Sequence, residues 1–172
     1  MTLVLIGPPA AGKSRVGKRL AKRLEIPYID TDSVIVREHG AIADIFSEHG
    51  EPHFRRLERA AVEQALREDA VVSLGGGAVL DRDTQFDLRD KRVILLTVRA
   101  DAVTARIGSG KRPLVTDIAS WQSLVDSRAE LYASLASYTT DTSNRAVDAI
   151  VDEIAHWINH EAHDTSTTEG QS

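Results

Sequence analysis

The sequence predicts an α/β fold, an open parallel sheet with helices on both faces, and three observations predict it. Short, continuously apolar runs alternate along the chain with longer segments whose apolar residues recur every three or four positions. Runs apolar throughout read as strands covered on both faces, and their alternation with helices reads as parallel strands joined by right-handed crossovers. The first run, Leu3 to Ile6, closes on the loop Gly7-Pro8-Pro9-Ala10-Ala11-Gly12-Lys13-Ser14, from which a helical segment departs.

Taken in order, Leu3 to Ile6 is the first strand. Lys13 to Leu24 follows as a helix, with Val16, Leu20 and Leu24 on one stripe among Lys and Arg. A short strand at about Pro27 to Ile29 leads into Asp30-Thr31-Asp32. Residues 33 to 49 read as helix interrupted at Gly40, and Pro52 suits the first turn of a helix reaching about Arg67. Ala70 to Leu74 is a strand stopped by Gly75-Gly76-Gly77, and Arg92 to Val98 is the clearest strand of all. A helix at Asp101 to Arg106, a loop rich in Gly, Ser and Lys, and a helix from Ser120 to Ser137 come next. The last strand lies near Tyr138 to Asp141, and the last helix runs from about Arg145 to Asn159 on Val147, Ile150, Val151, Ile154 and Ile158. The expected organisation is one domain over 1–162 and a disordered tail over 163–172, where apolar content is lacking.

Composition bounds the function. The 172 residues are 42% hydrophobic and 27% charged, a globular balance in a length that fits one domain. Cysteine is absent, which removes disulfides, thiolate metal sites and a cysteine nucleophile, and fits a reducing compartment. A net charge of -5 argues against nucleic acid as partner, since phosphate backbones reward clustered cations. The opening apolar run is too short for a membrane span and no basic segment precedes it, so a cytoplasmic protein with no membrane partner is expected.

The loop matches G-x-x-x-x-G-K-[ST]. Small residues let its backbone curl so that N–H groups face nucleotide phosphates, and the helix after it adds the positive end of its dipole. Lys13 is expected on the terminal phosphates of ATP and the Ser14 hydroxyl on Mg2+. Asp30 and Asp32 stand where open α/β sheets place ligands, at a strand's carboxyl end. On extended backbone they would point the same way, one carboxylate holding Mg2+ through water and the other binding or deprotonating a hydroxyl. Taken alone, the pair also suits a solvated turn with Asp32 capping the next helix.

These signatures, with Ile42-Ala43-Asp44-Ile45-Phe46, Phe54-Arg55-Arg56-Leu57-Glu58, Ser73-Leu74-Gly75-Gly76-Gly77, Arg112-Pro113-Leu114 and Arg128-Ala129-Glu130-Leu131-Tyr132, resemble the shikimate kinases in order and spacing over about residues 2 to 160. The resemblance implies a three-layer P-loop kinase fold with a five-stranded parallel sheet and a mobile lid at about 107–118. It implies transfer of the ATP γ-phosphate to the 3-hydroxyl of shikimate; a monomer is the default expectation for this fold and size. The whole loop, Gly7, Pro8, Pro9, Ala10, Ala11, Gly12, Lys13 and Ser14, would bind ATP, with Lys13 catalytic, and Mg2+ would sit on Ser14 and, through water, on Asp30. Asp32 would be the base. Asp32, Arg55, Gly75, Gly76, Gly77 and Arg128 would hold shikimate, Arg112 would close from the lid, and Arg106 and Arg145 would flank adenine.

The chemistry agrees. A guanidinium fork suits a carboxylate, a glycine run exposes backbone N–H groups, and an aspartate accepts from a polyol. Alone, Arg55 would read as a solvated helix-face cation supported by Glu58 three residues on. Three residues depart from the resemblance: Arg15 where Thr is usual, Val36 where an acidic residue is common, and Glu130 where Pro is usual, close enough to Arg128 to bear on carboxylate binding. The rival readings are another small-molecule kinase, such as a gluconate-type kinase, and a non-catalytic homologue. The first would not require Arg55, the triple glycine and Arg128 together, and Arg15 and Glu130 are what leave the second open. No Asn-Lys-x-Asp base-reading motif supports a GTPase switch.

Overall fold

The computed structural model describes residues 1–107 and 117–168. Arg112 and most of the expected lid lie outside the described residues.

Five strands form one parallel sheet: β1 (Leu3–Ile6), β2 (Tyr28–Asp30), β3 (Val71–Ser73), β4 (Arg92–Thr97) and β5 (Tyr138–Asp141), in the order β2-β3-β1-β4-β5. β1 is central, with Leu3 opposite Val71 on one side and Arg92 on the other. Its four residues are all buried, because the strand alternates between two cores. Leu3 and Leu5 join Val71, Ile94 and Leu96 on one face, under α1 (Lys13–Leu24), α6 (Ala100–Ile107) and α8 (Val147–Thr168). Val4 and Ile6 join Val72, Val93 and Leu95 on the other, under α4 (Glu51–Ala65) and α7 (Ile118–Leu135). Burying each such side chain is worth about 1.5–3 kcal/mol.

The interrupted helix is two helices, α2 (Thr31–His39) and α3 (Ile42–His49), broken at Gly40, which takes φ 90°. Ile35, Ile45, Phe54 and Ala61 give α2, α3 and α4 a small core of their own, beside the sheet. A 3-10 turn (Ala78–Leu80) and α5 (Arg82–Asp87) follow β3, where no element was expected. Asp81 caps α5 by accepting from Thr84 N at 2.8 Å. α8 continues to Thr168, past the end expected near Asn159 and into the segment expected as tail. Its apolar stripe stops at Ile158, but no Gly or Pro interrupts the following residues before Gly170. Among the described residues, no helix is long and apolar enough to cross a membrane.

This topology gathers the loop after β1, the β2–α2 junction and the glycine turn after β3 at the carboxyl edge of the sheet.

Candidate active site

The phosphate loop leaves β1 through Gly7, whose φ is 143°. A Cβ there would lie 2.3 Å from Leu96 O of β4, so only glycine lets the chain turn this close to the sheet. Gly12 takes φ 86° and starts α1, whose first N–H groups are thereby left toward the loop. Lys13 folds back across the loop and donates from Nζ to Gly7 O at 2.7 Å and Pro8 O at 3.1 Å.

At the second position of α1, Ser14 Oγ donates to Asp30 Oδ2 at 3.0 Å, and Tyr28 OH donates to the same oxygen at 3.1 Å. Burial and the Asp30 charge push the Tyr28 hydroxyl up to about 12, so it stays a donor. The other Asp30 oxygen accepts from Ser33 N at 3.1 Å and caps α2. This corrects the expected geometry of the pair. Asp30 ends β2 and is itself the cap, while Asp32 already lies in the first turn of α2, so the two do not share extended backbone.

Asp32 instead faces the glycine turn. A Cβ on Gly75 would meet Asp32 Oδ1 at 2.6 Å and Glu58 Oε1 at 3.0 Å, and one on Gly77 would meet Arg55 NH1 at 2.5 Å. The turn is therefore side-chain-free because three ionic side chains crowd it. Its N–H groups are not all available: Gly75 N donates to Thr31 Oγ1 at 3.1 Å, contrary to the expectation that the run offers its amides to a ligand. Gly76 O accepts from Arg128 NH1 at 3.0 Å and from Tyr132 OH at 2.7 Å, which ties the turn to α7.

Arg55 donates to Glu58 Oε2 at 2.7 Å and, from two nitrogens, to Glu51 Oε1 at 3.3 and 3.1 Å. Among the described residues, one N–H on each terminal nitrogen is left over. Arg55, Glu58 and Gly77 line a cleft of about 270 Å³ that reaches Arg59 and Thr84. Burial raises the Asp32 carboxyl above the ordinary aspartate range and the Asp30 charge adds to it, while Lys13 and Arg55 pull the other way. Burial raises Glu58 too, against the pull of Arg55. Lys13, Asp32, Arg55, Glu58, the glycines and Arg128 are thus within contact or electrostatic reach of one another.

Arg106 and Arg145 each bond to backbone near the end of β5. Arg106 donates to Ala10 O at 2.6 Å and Thr142 O at 2.6 Å, and Arg145 to Asp141 O at 3.0 Å while pairing with Glu153. The three departures, Arg15, Val36 and Glu130, are all exposed. Glu130 stands two residues beyond Arg128 on α7, which turns it away from Arg128's side of the helix.

A family model described as shikimate kinase matches residues 9–159. The chain belongs to the shikimate kinase family.

Its similarity to shikimate kinases runs nearly end to end. It is 43% identical to that of Saccharopolyspora erythraea over 161 residues, covering 90% of this chain and 92% of the relative. It is 38% identical to that of Corynebacterium efficiens over 161 residues, 91% and 95% of the two chains. Among solved structures, shikimate kinase from Acinetobacter baumannii in complex with shikimate superposes with a TM-score of 0.85 at 30% identity, covering 93% of each chain. A gluconokinase from Sinorhizobium meliloti reaches a TM-score of 0.66 at 17% identity, covering 97% and 96%, a likeness of fold alone.

For this shikimate kinase family member the sequence reading missed four side chains that build the site: Tyr28, Thr31, Glu58 and Tyr132. Glu58 carried a signal. It falls on the stripe of Phe54, Ala61, Val62 and Ala65 that α4 buries, and a carboxylate there needs a partner. Thr31 and Tyr132 carried none, because their partners lie 44 and 56 residues away.

Proposed function

We propose that this protein transfers the γ-phosphoryl group of ATP to the 3-hydroxyl of shikimate, giving shikimate 3-phosphate. The observation that carries this reading is the cluster of Asp32, Arg55, Glu58 and Arg128 around the glycine turn, within electrostatic reach of Lys13 on the phosphate loop. It pairs cations for a carboxylate with an anionic acceptor for hydroxyls, the two demands of a small polyhydroxy acid.

The loop N–H groups and Lys13 would hold the phosphates of ATP. Arg55 and Arg128 would orient the acceptor's carboxylate so that a ring hydroxyl faces the γ-phosphorus. Asp32, raised into a range where a carboxylate is a better base, would take the hydroxyl proton as the oxygen attacks in line. Arg112 would add charge from the lid, and Arg106 and Arg145 would flank the adenine. Catalysis of this kind is chiefly positioning and charge stabilisation, so no covalent enzyme intermediate is needed.

Ser14 and Asp30 fit Mg2+, since a hydroxyl and a carboxylate 3.0 Å apart beside the phosphate loop are the hard oxygen donors that ion takes. Bound there, Mg2+ would offset negative charge on the nucleotide phosphates. We read the enzyme as a cytoplasmic monomer without nucleic-acid or membrane partners.

The test is ATP consumption across shikimate, quinate, gluconate and nucleoside monophosphates. Turnover is expected with shikimate. Robust turnover with another acceptor and none with shikimate would overturn the assignment.

A further inference from the structure

A phosphate loop can turn its N–H groups to a ligand only while its carbonyls face away, and here each carbonyl from Gly7 to Gly12 has a donor. Lys13 takes Gly7 O and Pro8 O, and Val16 N takes Gly12 O at 3.0 Å. The three at the crest are taken from elsewhere in the chain. Trp121 Nε1 donates to Pro9 O at 2.9 Å, Arg106 NH1 to Ala10 O at 2.6 Å, and Thr142 Oγ1 to Ala11 O at 2.9 Å. Ala10 stands at φ 67°, in the left-handed region that disfavours any residue with a Cβ. The loop's active shape therefore opposes its own local preference, and the outside donors hold it.

Trp121 is 3% exposed, in the first turn of α7, and its indole reaches a carbonyl 112 residues away. A buried indole N–H needs some acceptor. In this protein the acceptor is the carbonyl next to the strained Ala10. Thr142 is also buried and shares its one hydroxyl proton between Ala11 O and Thr97 O, which ties the loop to β4.

We propose that Trp121 is a positioning residue for the nucleotide site: its N–H, with the Thr142 hydroxyl, keeps the crest carbonyls outward and the loop shaped for a nucleotide before one arrives. The proposal rests on the ATP reading above and goes beyond it, because Trp121 contacts no substrate in that mechanism. A preformed loop does not have to be ordered on binding, so losing one of these bonds should weaken nucleotide binding about fivefold.

The test is calorimetric titration of ADP into the full chain, with steady-state kinetics alongside. Trp121→Phe keeps the ring and removes the donor. Thr142→Val removes the hydroxyl, and Thr142→Ser keeps it. Trp121→Phe and Thr142→Val should each weaken ADP about fivefold and raise the ATP KM to match, with the acceptor KM changed less than twofold; Thr142→Ser should behave as wild type. In a Trp157→Phe background Trp121 is the one tryptophan left, and its emission maximum should stay in place as ADP saturates, because its indole is already buried and bonded before the nucleotide arrives. A folded Trp121→Phe that binds ADP as wild type does, or one that raises both KM values alike, would overturn the proposal. A large shift of that emission with ADP, reporting a loop ordered only on binding, would count against it in the same way. If Trp121→Phe does not fold, Thr142→Val against Thr142→Ser decides on the same readouts. Wild-type protein that binds no ADP would instead sink the ATP reading, and this proposal with it.

Discussion

Glu58 is 4% exposed and accepts from Arg55 NH1 at 2.7 Å, so the cation assigned to the acceptor's carboxylate is itself anchored by a buried anion. Two effects oppose each other. Glu58 fixes the direction of the fork, yet its charge competes with the incoming carboxylate. A hydrogen bond between charged groups contributes about 1.5–3 kcal/mol, and loss of a preset orientation falls on binding. Glu58→Ala should therefore raise the acceptor KM about tenfold and leave the ATP KM within twofold in steady-state kinetics. A lowered acceptor KM would mean that competition outweighs orientation.

The glycines separate stability from binding. At Gly7 a Cβ would meet the backbone of Leu96 at 2.3 Å, on a residue with φ 143°, and neither can give way. Gly7→Ala should cost at least about 2 kcal/mol in urea unfolding. At Gly77 the obstacle is the far end of Arg55, which can swing aside. Gly77→Ala should lower stability by less than about 1 kcal/mol and raise the acceptor KM instead. Equal losses of stability would contradict the difference drawn between backbone and side-chain neighbours.

On the proposed function, Lys13 and Asp32 divide the chemistry. Asp32→Asn keeps the shape of the side chain and one acceptor oxygen, turns the other into a donor, and removes the proposed base. It should lower kcat by about 10²–10⁴ with both substrates still bound. Lys13→Ala removes charge from the phosphates and should lower kcat at least a hundredfold. Turnover near wild type in either variant would remove that residue from its role.

The sheet was legible because buried parallel strands are apolar throughout, and the loop because its glycines are demanded by backbone geometry. Gly40 likewise announced the break between α2 and α3. The 3-10 turn and α5 were hidden because Leu80 and Phe86 are exposed, so no apolar stripe marks them. The site was legible as a set of residue types but not as a geometry. Asp30 passes from strand to helix cap in one residue, which no alternation rule anticipates. Thr31 holding Gly75 N, and Tyr132 holding Gly76 O, depend on strand order, which emerges only once the chain is folded.

Asp32 offers the last test, through pH. Burial raises its carboxyl and the Asp30 charge raises it further. A general base must be ionised to act, so under the role proposed for Asp32 log kcat/KM for the acceptor should fall on the acid side. That limb should lie above the pH at which an ordinary aspartate titrates, about 3.9. The sign for stability follows from the same shift. A carboxyl that binds its proton more tightly when folded contributes a penalty that is absent below the unfolded value and grows as pH rises toward the folded one. Asp30→Asn removes the second cause while leaving burial in place. It should move the acid limb of kcat/KM to lower pH without abolishing it, and should lower the rate at the plateau if Asp30 also serves Mg2+. An acid limb that stays where it was would mean that the Asp30 charge does not reach Asp32, and burial alone would then account for the shift.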